Sequence, residues 1–373
     1  MTDEQYMRLA LNLAEKGAGY TNPNPMVGAV IVKNDKIIGS GYHKKYGELH
    51  AERNAFASLS EPADGAILYV TLEPCCHYGK TPPCTEAILK HHIKKVVIAS
   101  MDPNPLVGGK GAAILREHGI EVVTGVLEKE AIELNQPFFH FIQNKTPYVI
   151  MKYAMTADGK TATHTGASKW ITGEEARNHV HKLRNRYSAI MAGIQTVLTD
   201  DPLLTCRISE GVNPIRIICD THLRTPLTSQ IVKTAKNVPT ITAYCEDSTG
   251  NAAALERAGV ELLKVPFSLD GRLDLPWLMQ ELGRKNIDSI LLEGGSTLNE
   301  SFLKENLVHS LLVYIAPKIF GGKDAKSPVG GVGVETPAQA YAFSFEKMTQ
   351  FEEDILLTYT KKNRRNPLVY RYY

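Results

Sequence analysis

The segments HAERNAFASL (50–59) and AILYVTLEPCCHYGKTPPC (66–84) combine a helical pattern with a β-rich run that ends in a cysteine-containing loop. They place one imidazole, His50, at the start of the predicted helix, and two thiols, Cys75 and Cys84, after the predicted strand. This donor set suits zinc. Three protein ligands leave the fourth tetrahedral position for water, as in a catalytic rather than a structural site.

The spacing around these ligands indicates hydrolytic chemistry. Zinc lowers the pKa of a bound water to about 7, and Glu52 could carry a proton from that water to departing ammonia. Nucleobase deaminases have a His-x-Glu and Pro-Cys-x-x-Cys signature. The first half is met here, but eight residues separate Cys75 from Cys84. The alternative is a chance cluster of small buried thiols with His50 as a helix cap. Cys76 is left out of the ligand set, because adjacent cysteines rarely reach one tetrahedral ion together.

Strand and helix patterns alternate around this cluster. They predict an α/β sheet with its chemistry at the strand ends. An amphipathic helix is expected at 2–16 and a β-hairpin at 27–32 and 36–42. Further strands are expected at 66–72, 96–100 and 120–125, with helices at 84–92 and 109–118.

A second alternating series begins after QNKTP (143–147), so we expect a second α/β domain. Its predicted strands are 148–155, 189–193, 214–220, 239–245, 289–295 and 311–317, and its predicted helices are 174–186, 251–258, 275–283 and 297–305. The expected domains are 1–145 and 146–360, followed by a basic tail at 361–373. Gly-x-Gly-x-x-Gly is absent from the sequence. In LLEGGSTLNE (291–300), however, a Gly-Gly turn at a strand end could bring backbone amides to a phosphate, or could simply connect strand to helix.

Composition narrows the classes of partner. The chain has 373 residues with 42 Lys and Arg against 40 Asp and Glu, and residues 1–145 hold 15 basic against 16 acidic side chains. This balance argues against a nucleic-acid partner, which needs a basic surface. The sequence has no run of 18 apolar residues, so no membrane partner is expected. Clustered cysteines in a chain of this length favour metal chemistry in a reducing compartment, and we expect a cytoplasmic protein.

The motifs of the first domain resemble those of the bifunctional riboflavin-biosynthesis enzyme, a diaminohydroxyphosphoribosylaminopyrimidine deaminase joined to a 5-amino-6-(5-phosphoribosylamino)uracil reductase. The matching stretches are NPNPMVGAV (22–30), GYH (41–43), HAE (50–52), TLEPCCHYGKTPPC (71–84) and MDPNPLVGGKG (101–111). The resemblance continues through MKYAMTADGK (151–160), SKWIT (168–172), LR (183–184), AGIQTVLTDDPLLTCR (192–207) and LLEGGSTLN (291–299). It implies a cytidine-deaminase-like three-layer α/β/α domain followed by a dihydrofolate-reductase-like α/β domain.

The resemblance also implies the site residues. His50, Cys75 and Cys84 would bind one zinc ion, and Glu52 would carry the proton. Substrate contacts in the deaminase would be Asn24, His43, His77, Lys80, Asp102 and Asn104. NADPH contacts would be Ala154, Trp170, Thr172, Thr196, Asp200, Gly295, Ser296, Thr297, Leu298 and Asn299. Substrate contacts in the reductase would be Ser168, Arg184, Leu204, Arg207 and Glu293, with the two arginines on the phosphate and the acids Asp200 and Glu293 on ribose hydroxyls.

Lys152, on the first predicted strand of the second domain, is a candidate partner of the sugar or proton donor. The alternative is a structural lysine that pairs with a nearby acid. The expected activity is zinc-dependent deamination of a phosphoribosylaminopyrimidine, followed by NADPH-dependent reduction of its ribosyl group, in a homo-oligomer (dimer or tetramer). One alternative is a nucleotide or tRNA zinc deaminase with a non-catalytic second domain. Another is a zinc-stabilised interaction module, which the open ligand set and Glu52 disfavour.

Overall fold

The computed structural model describes residues 1–79, 81–104 and 107–362 of the chain. It divides into two compact units. The first comprises Met1–Thr146 with Asn286–Asp288, and the second comprises Pro147–Lys285 with the chain from Ser289 onward. Each unit contains its own sheet. Among the described residues, every helix is too short or too polar to cross a membrane.

The first unit is a three-layer α/β/α domain. Its strands are β1 (Gly28–Lys33), β2 (Lys36–Tyr42), β3 (Ile67–Leu72), β4 (Lys95–Ser100) and β5 (Glu121–Thr124), and its helices are α1 (Asp3–Ala14), α2 (Ala51–Ala57), α3 (Cys84–Lys90), α4 (Lys110–Glu117), α5 (Glu128–Leu134) and α6 (Gln136–Asn144). Within the described residues the sheet order is β2-β1-β3-β4-β5, and β3, β4 and β5 run parallel.

Alternate residues of β1 reach the two faces of this sheet, as the period of two in a strand requires. Ile31 packs into a core with residues of α2, α3 and α4. Val30 packs into a second core with residues of α1 and α5. Helix α1 lies so close to β1 that a Cβ atom on Gly28 would come within 1.9 Å of the Ala10 carbonyl oxygen. Glycine at position 28 therefore permits this close packing.

The second unit is built on a mixed sheet. Its strands are β6 (Tyr148–Thr156), β7 (Ala189–Gly193), β8 (Ile215–Cys219), β9 (Thr240–Tyr244), β10 (Glu261–Lys264), β11 (Ser289–Gly294), β12 (Ser310–Ala316), β13 (Phe343–Phe351) and β14 (Asp354–Lys361). Its helices are α7 (Glu174–Arg186), α8 (Ile194–Asp200), α9 (Gln230–Lys233), α10 (Ala252–Arg257), α11 (Leu275–Arg284) and α12 (Ser296–Lys304). Within the described residues the order is β10-β9-β8-β7-β11-β6-β12-β14-β13, parallel as far as β12 and antiparallel from there.

The antiparallel end of this sheet corrects the sequence analysis. β13 and β14 were not predicted, and the expected elements ended with the strand at 311–317. Most side chains of β13 are exposed or half-buried, so the strand lacks the buried alternating face on which strand prediction depends. The short strand β10, with half-buried Leu262 and Leu263, was also missed.

A buried arginine ties the parallel part of this sheet to a neighbouring loop. Arg216, on β8, is fully buried and donates hydrogen bonds to the Leu203 carbonyl (3.2 Å) and to the Thr234 and Thr240 hydroxyls (2.8 and 2.7 Å). Burial lowers the pKa of its guanidinium to about 10. The Leu203 contact holds the segment that follows α8 against the sheet.

Candidate active sites

Three potential metal ligands meet at the carboxyl end of β3. His50 immediately precedes α2, Cys75 follows β3, and Cys84 is the first residue of α3. His50 Nδ1 lies 3.4 Å from the Cys75 sulfur and 3.5 Å from the Cys84 sulfur, and the ligand atoms of all three lie within 4.8 Å of one another. Cys76 is a described residue but does not belong to this cluster.

The cluster fits a zinc ion. Ligand atoms on a tetrahedral zinc ion with bonds of about 2.0–2.3 Å lie roughly 3.3–3.8 Å apart, which matches the imidazole–sulfur separations here. Zinc binds the thiolate form of cysteine. A hydrogen bond from Cys84 and the nearby His50 imidazole lower the pKa of Cys75 to about 4, even though burial opposes this shift.

Glu52 lies beside the cluster in the first turn of α2, with only 3% of its surface exposed. Burial, with the charge of Cys75 as a smaller contribution, raises the pKa of Glu52 to about 7. A carboxyl group that titrates near neutrality can both accept and donate a proton under physiological conditions. Glu52 therefore has the protonation behaviour that a proton carrier needs.

Most of the predicted deaminase contacts line one cavity with this cluster. The cavity, of about 300 Å³, is lined by Asn24, His43, His77, Asp102 and Asn104 together with His50, Glu52 and Cys75. Asn24 Nδ2 lies 3.4 Å from His43 Nε2, whose other ring nitrogen lies 3.1 Å from the Leu49 carbonyl oxygen. The predicted contact Lys80 lies outside the described residues.

Glu73, which the sequence analysis did not select, holds the loop that carries two of these contacts. Its buried carboxylate accepts hydrogen bonds from the backbone amides of Asp102 (3.3 Å), Gly109 (2.9 Å) and Ala112 (3.0 Å). Asp102 Oδ1 in turn accepts from the Asn104 amide at 2.8 Å. The quoted motif TLEPCC contains Glu73, but nothing in its spacing reveals these backbone partners, which come from a distant loop.

In the second unit, a buried ion-pair cluster lies where β11 meets β6. Glu293 receives hydrogen bonds from Arg184 Nε (2.7 Å) and Arg184 Nη2 (2.8 Å), and from Lys152 Nζ (3.3 Å). Burial opposes ionisation of Glu293, but Arg184 and Lys152 hold its pKa well below the usual range. Lys152 thus has the acidic partner that a structural lysine would need. Lys152 and Glu293 also both line the large cavity of the second unit.

A cavity of about 620 Å³ opens at the carboxyl ends of the parallel strands. Its wall includes Lys152, Ser168 and Glu293 and most of the predicted NADPH contacts, namely Ala154, Thr196, Asp200, Gly295, Ser296, Thr297, Leu298 and Asn299. Gly294 and Gly295 have φ values of +78° and +89°, a conformation that glycine adopts readily. They form the turn from β11 into α12, where helix amides favour negative charge.

The remaining predicted residues lie elsewhere. The described residues that line the cavity do not include Trp170, Thr172, Arg184, Leu204 and Arg207. The Trp170 ring is 61% exposed and lies 4.8 Å from the Arg177 guanidinium carbon, whereas Thr172 and Leu204 are buried. The exposed Arg207 is close enough to Arg184 and Glu293 to interact with their charges.

Arg184 has an ion-pair partner that the sequence analysis did not predict. Two nitrogens of its guanidinium contact Glu293, and Nη1 donates to the Thr205 carbonyl oxygen at 3.1 Å. A guanidinium has five N–H donors, so these three contacts do not by themselves prevent it from binding a phosphate as well. In this structure Nε and Nη2 are directed to Glu293, and Arg207 is the exposed cation beside this pair.

Comparison with known proteins agrees with this two-site geometry. Residues 1–100 match the cytidine and deoxycytidylate deaminase zinc-binding region, and residues 147–357 match the RibD C-terminal domain. The riboflavin biosynthesis protein RibD of Actinobacillus pleuropneumoniae is 53% identical, over 96% of this chain and 95% of its own. The structure of RibD from Acinetobacter baumannii has a TM-score of 0.86 at 39% identity, over 97% of this chain and 99% of its own. The chain belongs to the RibD family.

A solved structure from Thermotoga maritima, a diaminohydroxyphosphoribosylaminopyrimidine deaminase/5-amino-6-(5-phosphoribosylamino)uracil reductase, is 38% identical with a TM-score of 0.86, and the match covers 96% of this chain and 99% of that one. As a member of the RibD family, this chain is a bifunctional deaminase and reductase of riboflavin biosynthesis, with zinc and NADPH as its cofactors. The reading of the second domain as non-catalytic is not favoured.

Glu52→Ala should reduce ammonia release by roughly 10²- to 10⁴-fold while zinc stays bound, because the substitution removes the proton carrier and leaves the three ligands in place. Steady-state ammonia assays and metal analysis of the same preparation measure both quantities. Glu61→Ala, at an exposed position, is the matched control. Loss of zinc from the Glu52 variant would show that Glu52 is a ligand instead.

Glu73→Gln should raise the deaminase KM by about tenfold to a hundredfold, because an amide nitrogen would replace one acceptor oxygen facing the loop amides. Zinc content, deaminase kcat and reductase kinetics should change little. Glu117→Gln, at an exposed carboxylate on α4, serves as the control. If kcat and zinc content fell together while KM stayed constant, Glu73 would support the metal site and not the substrate loop.

Proposed function

We propose that the first unit hydrolyses 2,5-diamino-6-(5-phosphoribosylamino)pyrimidin-4(3H)-one to 5-amino-6-(5-phosphoribosylamino)uracil and ammonia. The second unit then reduces the ribosyl group of this product to a ribityl group. We assign the deaminase to residues 1–145 and the reductase to residues 146–360. The carrying observation is that His50, Cys75 and Cys84 cluster beside a cavity whose wall also includes the buried Glu52, in a chain whose second unit matches a reductase family model.

In the proposed deaminase, zinc held by His50, Cys75 and Cys84 supplies a Lewis acid that lowers the pKa of water. Glu52 accepts a proton from the attacking water and delivers it to the amino group that leaves as ammonia. Its pKa of about 7 allows both transfers. Asn24, His43, His77, Asp102 and Asn104, on the cavity wall, orient the pyrimidine and its ribose phosphate by hydrogen bonds, and Lys80 is proposed as a further contact.

In the proposed reductase, bound NADPH would supply the hydride that reduces C1 of the ring-opened imine. The residues that would hold NADPH are those named for the cavity wall, together with Trp170 and Thr172. Lys152 delivers a proton to the imine nitrogen, so that the C=N bond becomes an amine. Glu293, kept ionised by Arg184 and Lys152, holds the lysine ammonium 3.3 Å from its carboxylate and directs it towards the cavity.

Ser168, Leu204 and Arg207 complete the proposed substrate contacts in the reductase. Arg207 binds the phosphate, since it is the exposed arginine beside the Arg184–Glu293 pair. Arg184 holds Glu293 in place and contacts the phosphate through N–H donors that Glu293 does not use. Asp200 and Glu293 accept hydrogen bonds from ribose hydroxyls.

The assembly and cellular location are also proposals. Phe345 and Met348 on β13 and Ile355 on β14 expose large apolar side chains, which favours a homo-oligomer, a dimer or tetramer, over a monomer. Sedimentation equilibrium would detect a mass of two or four chains, and a single-chain mass would contradict the proposal. The six cysteines, all within the described residues, form no disulfide, which supports a cytoplasmic location, and fractionation of cells would test it.

The decisive experiment follows ammonia release and NADPH oxidation separately on purified, zinc-loaded protein. We expect ammonia release without NADPH, and NADPH oxidation only after deamination has taken place. A zinc-stabilised interaction module would fold with zinc and release no ammonia. Ammonia release without any NADPH oxidation would retain the first assignment and eliminate the second.

Arg207→Ala should raise the reductase KM by about tenfold to a hundredfold, because the charged partner of the substrate phosphate is lost. Ammonia release should be unchanged. The control is Arg257→Ala, at an exposed arginine that ends α10. Wild-type reductase kinetics in the Arg207 variant would remove this residue from the substrate site.

A further inference from the structure

The reductase cavity extends beyond the residues that sequence analysis assigned to NADPH. Sheet order places the carboxyl ends of the relevant strands in the sequence β8, β7, β11, β6. Lys152 and Ala154 on β6 line one side, and residues that follow β8 line the other. Three strand spacings of about 4.8 Å separate these sides by roughly 14 Å. The cavity is therefore long enough to hold an extended dinucleotide across the strand ends.

The parts of a dinucleotide can be ordered along this cavity. The Lys152–Glu293 pair marks the end where hydride transfer is proposed. The first turn of α12 and residues of α8 lie beyond it and suit the diphosphate, because helix N-terminal amides attract phosphate. The adenosine half would then lie at the β8 side, where Leu273 and Leu275 supply apolar surface.

Two arginines of the cavity wall lie at this β8 side. Arg224 belongs to the turn that follows β8, and Arg272 belongs to the segment that precedes α11. Their side chains are 48% and 46% exposed. Arginine suits a phosphate monoester, which carries about two negative charges at neutral pH, because its planar fork donates two parallel hydrogen bonds.

The turn that presents Arg224 is held rigidly. Asp220 is fully buried, and its Oδ2 accepts hydrogen bonds from the Thr225 amide (2.7 Å) and the Thr225 hydroxyl (2.8 Å). The Thr249 hydroxyl donates to the Leu223 carbonyl oxygen at 2.9 Å. Arg224 Nε lies 4.0 Å from Asp220 Oδ1, which is too long for a hydrogen bond. This contact positions the guanidinium without using its donors on Asp220.

Arg272 is positioned by α12. Its Nη1 donates to the Ser301 hydroxyl at 3.0 Å and lies 3.6 Å from a carboxylate oxygen of Glu300. These contacts use one end of the guanidinium fork, and Ser301 itself lines the cavity. Arg272 is thereby held at the rim of the cavity.

The position of Asp220 bears on the choice of cofactor. In dinucleotide-binding folds an acid at a strand end accepts from the ribose 2′-hydroxyl of NADH, whereas an arginine there accommodates the 2′-phosphate of NADPH. Asp220 follows β8, but its carboxylate is buried in the turn with Thr225. Arg224 lines the cavity instead. The charge at this end of the cavity is therefore suited to a phosphate and not to a hydroxyl.

We propose that Arg224 and Arg272 form the subsite that binds the 2′-phosphate of NADPH and so determine the preference for NADPH over NADH. This inference rests on the proposed placement of the cofactor in the reductase cavity. The substrate phosphate is assigned to Arg207, which lies outside the cavity wall and near Glu293, so the two phosphates are assigned to different residues.

Calorimetric titration of the full-length, zinc-loaded protein with NADP⁺ and NAD⁺ tests the proposal without relying on turnover. Arg224→Gln and Arg272→Gln should each weaken NADP⁺ binding by about tenfold to a hundredfold, because charged hydrogen bonds to the phosphate are lost. NAD⁺ affinity should stay within about twofold of wild type. Arg257→Gln, at the exposed arginine of α10, should leave both affinities unchanged.

Two smaller probes separate the sources of phosphate. The fragment 2′,5′-ADP should bind wild type and lose affinity in both variants, whereas ribose 5-phosphate should bind all of them equally. Equal weakening of NADP⁺ and NAD⁺, or weakening of ribose 5-phosphate alone, would overturn the proposal. If wild type bound NADP⁺ and NAD⁺ with equal affinity, the proposed subsite would be refuted. The assay of NADPH oxidation after deamination would still test the reductase assignment separately.

Discussion

The direction of the parallel strands is the constraint on which both sites depend. Parallel strands joined by crossover helices end at the same edge of a sheet, and the loops that leave this edge converge. In the first unit, β3 and β4 lead into the loops of Cys75 and Asp102. In the second unit, β6 carries Lys152, and β11 carries Glu293 and leads into the glycine turn before α12. Reactive groups far apart in sequence thereby line one cavity in each unit.

Buried carboxyl groups serve three different purposes in these cavities. Glu52 is buried beside a thiol cluster, and desolvation raises its pKa towards neutrality, where a proton can be gained and lost. Glu293 is buried as well, but two cations offset the desolvation and keep it ionised. The same side-chain type is thus suited to proton transfer in one unit and to holding a cation in the other. Glu73 adds a third use, since its carboxylate binds backbone amides and shapes a loop.

Sequence reasoning succeeded where function resides in local motifs and failed where it depends on distant partners. The motif residues His50, Glu52, Cys75 and Cys84 could be selected because metal chemistry restricts the residue types and their spacing. Glu73 was missed because its partners are backbone amides 29 to 39 residues away. The pairing of Arg184 with Glu293, 109 residues away, was not predicted because it has no sequence signal. Strand β13 was missed because it has no buried residue, and β14 was missed because most of its residues are only half-buried and give no alternating apolar pattern.

The sequence by itself determined the two α/β units and the membership in the RibD family, and it selected the residues proposed as zinc ligands and proton carrier. These depend on hydrophobic periodicity and on short motifs that few other residues could replace. The tertiary structure decided which side chains share a cavity, how far burial raises the pKa of Glu52, and which cations pair with Glu293. These properties depend on burial and on charges brought together by strand order. Desolvation and Coulomb interactions act over a few ångströms in space, whatever the separation along the chain.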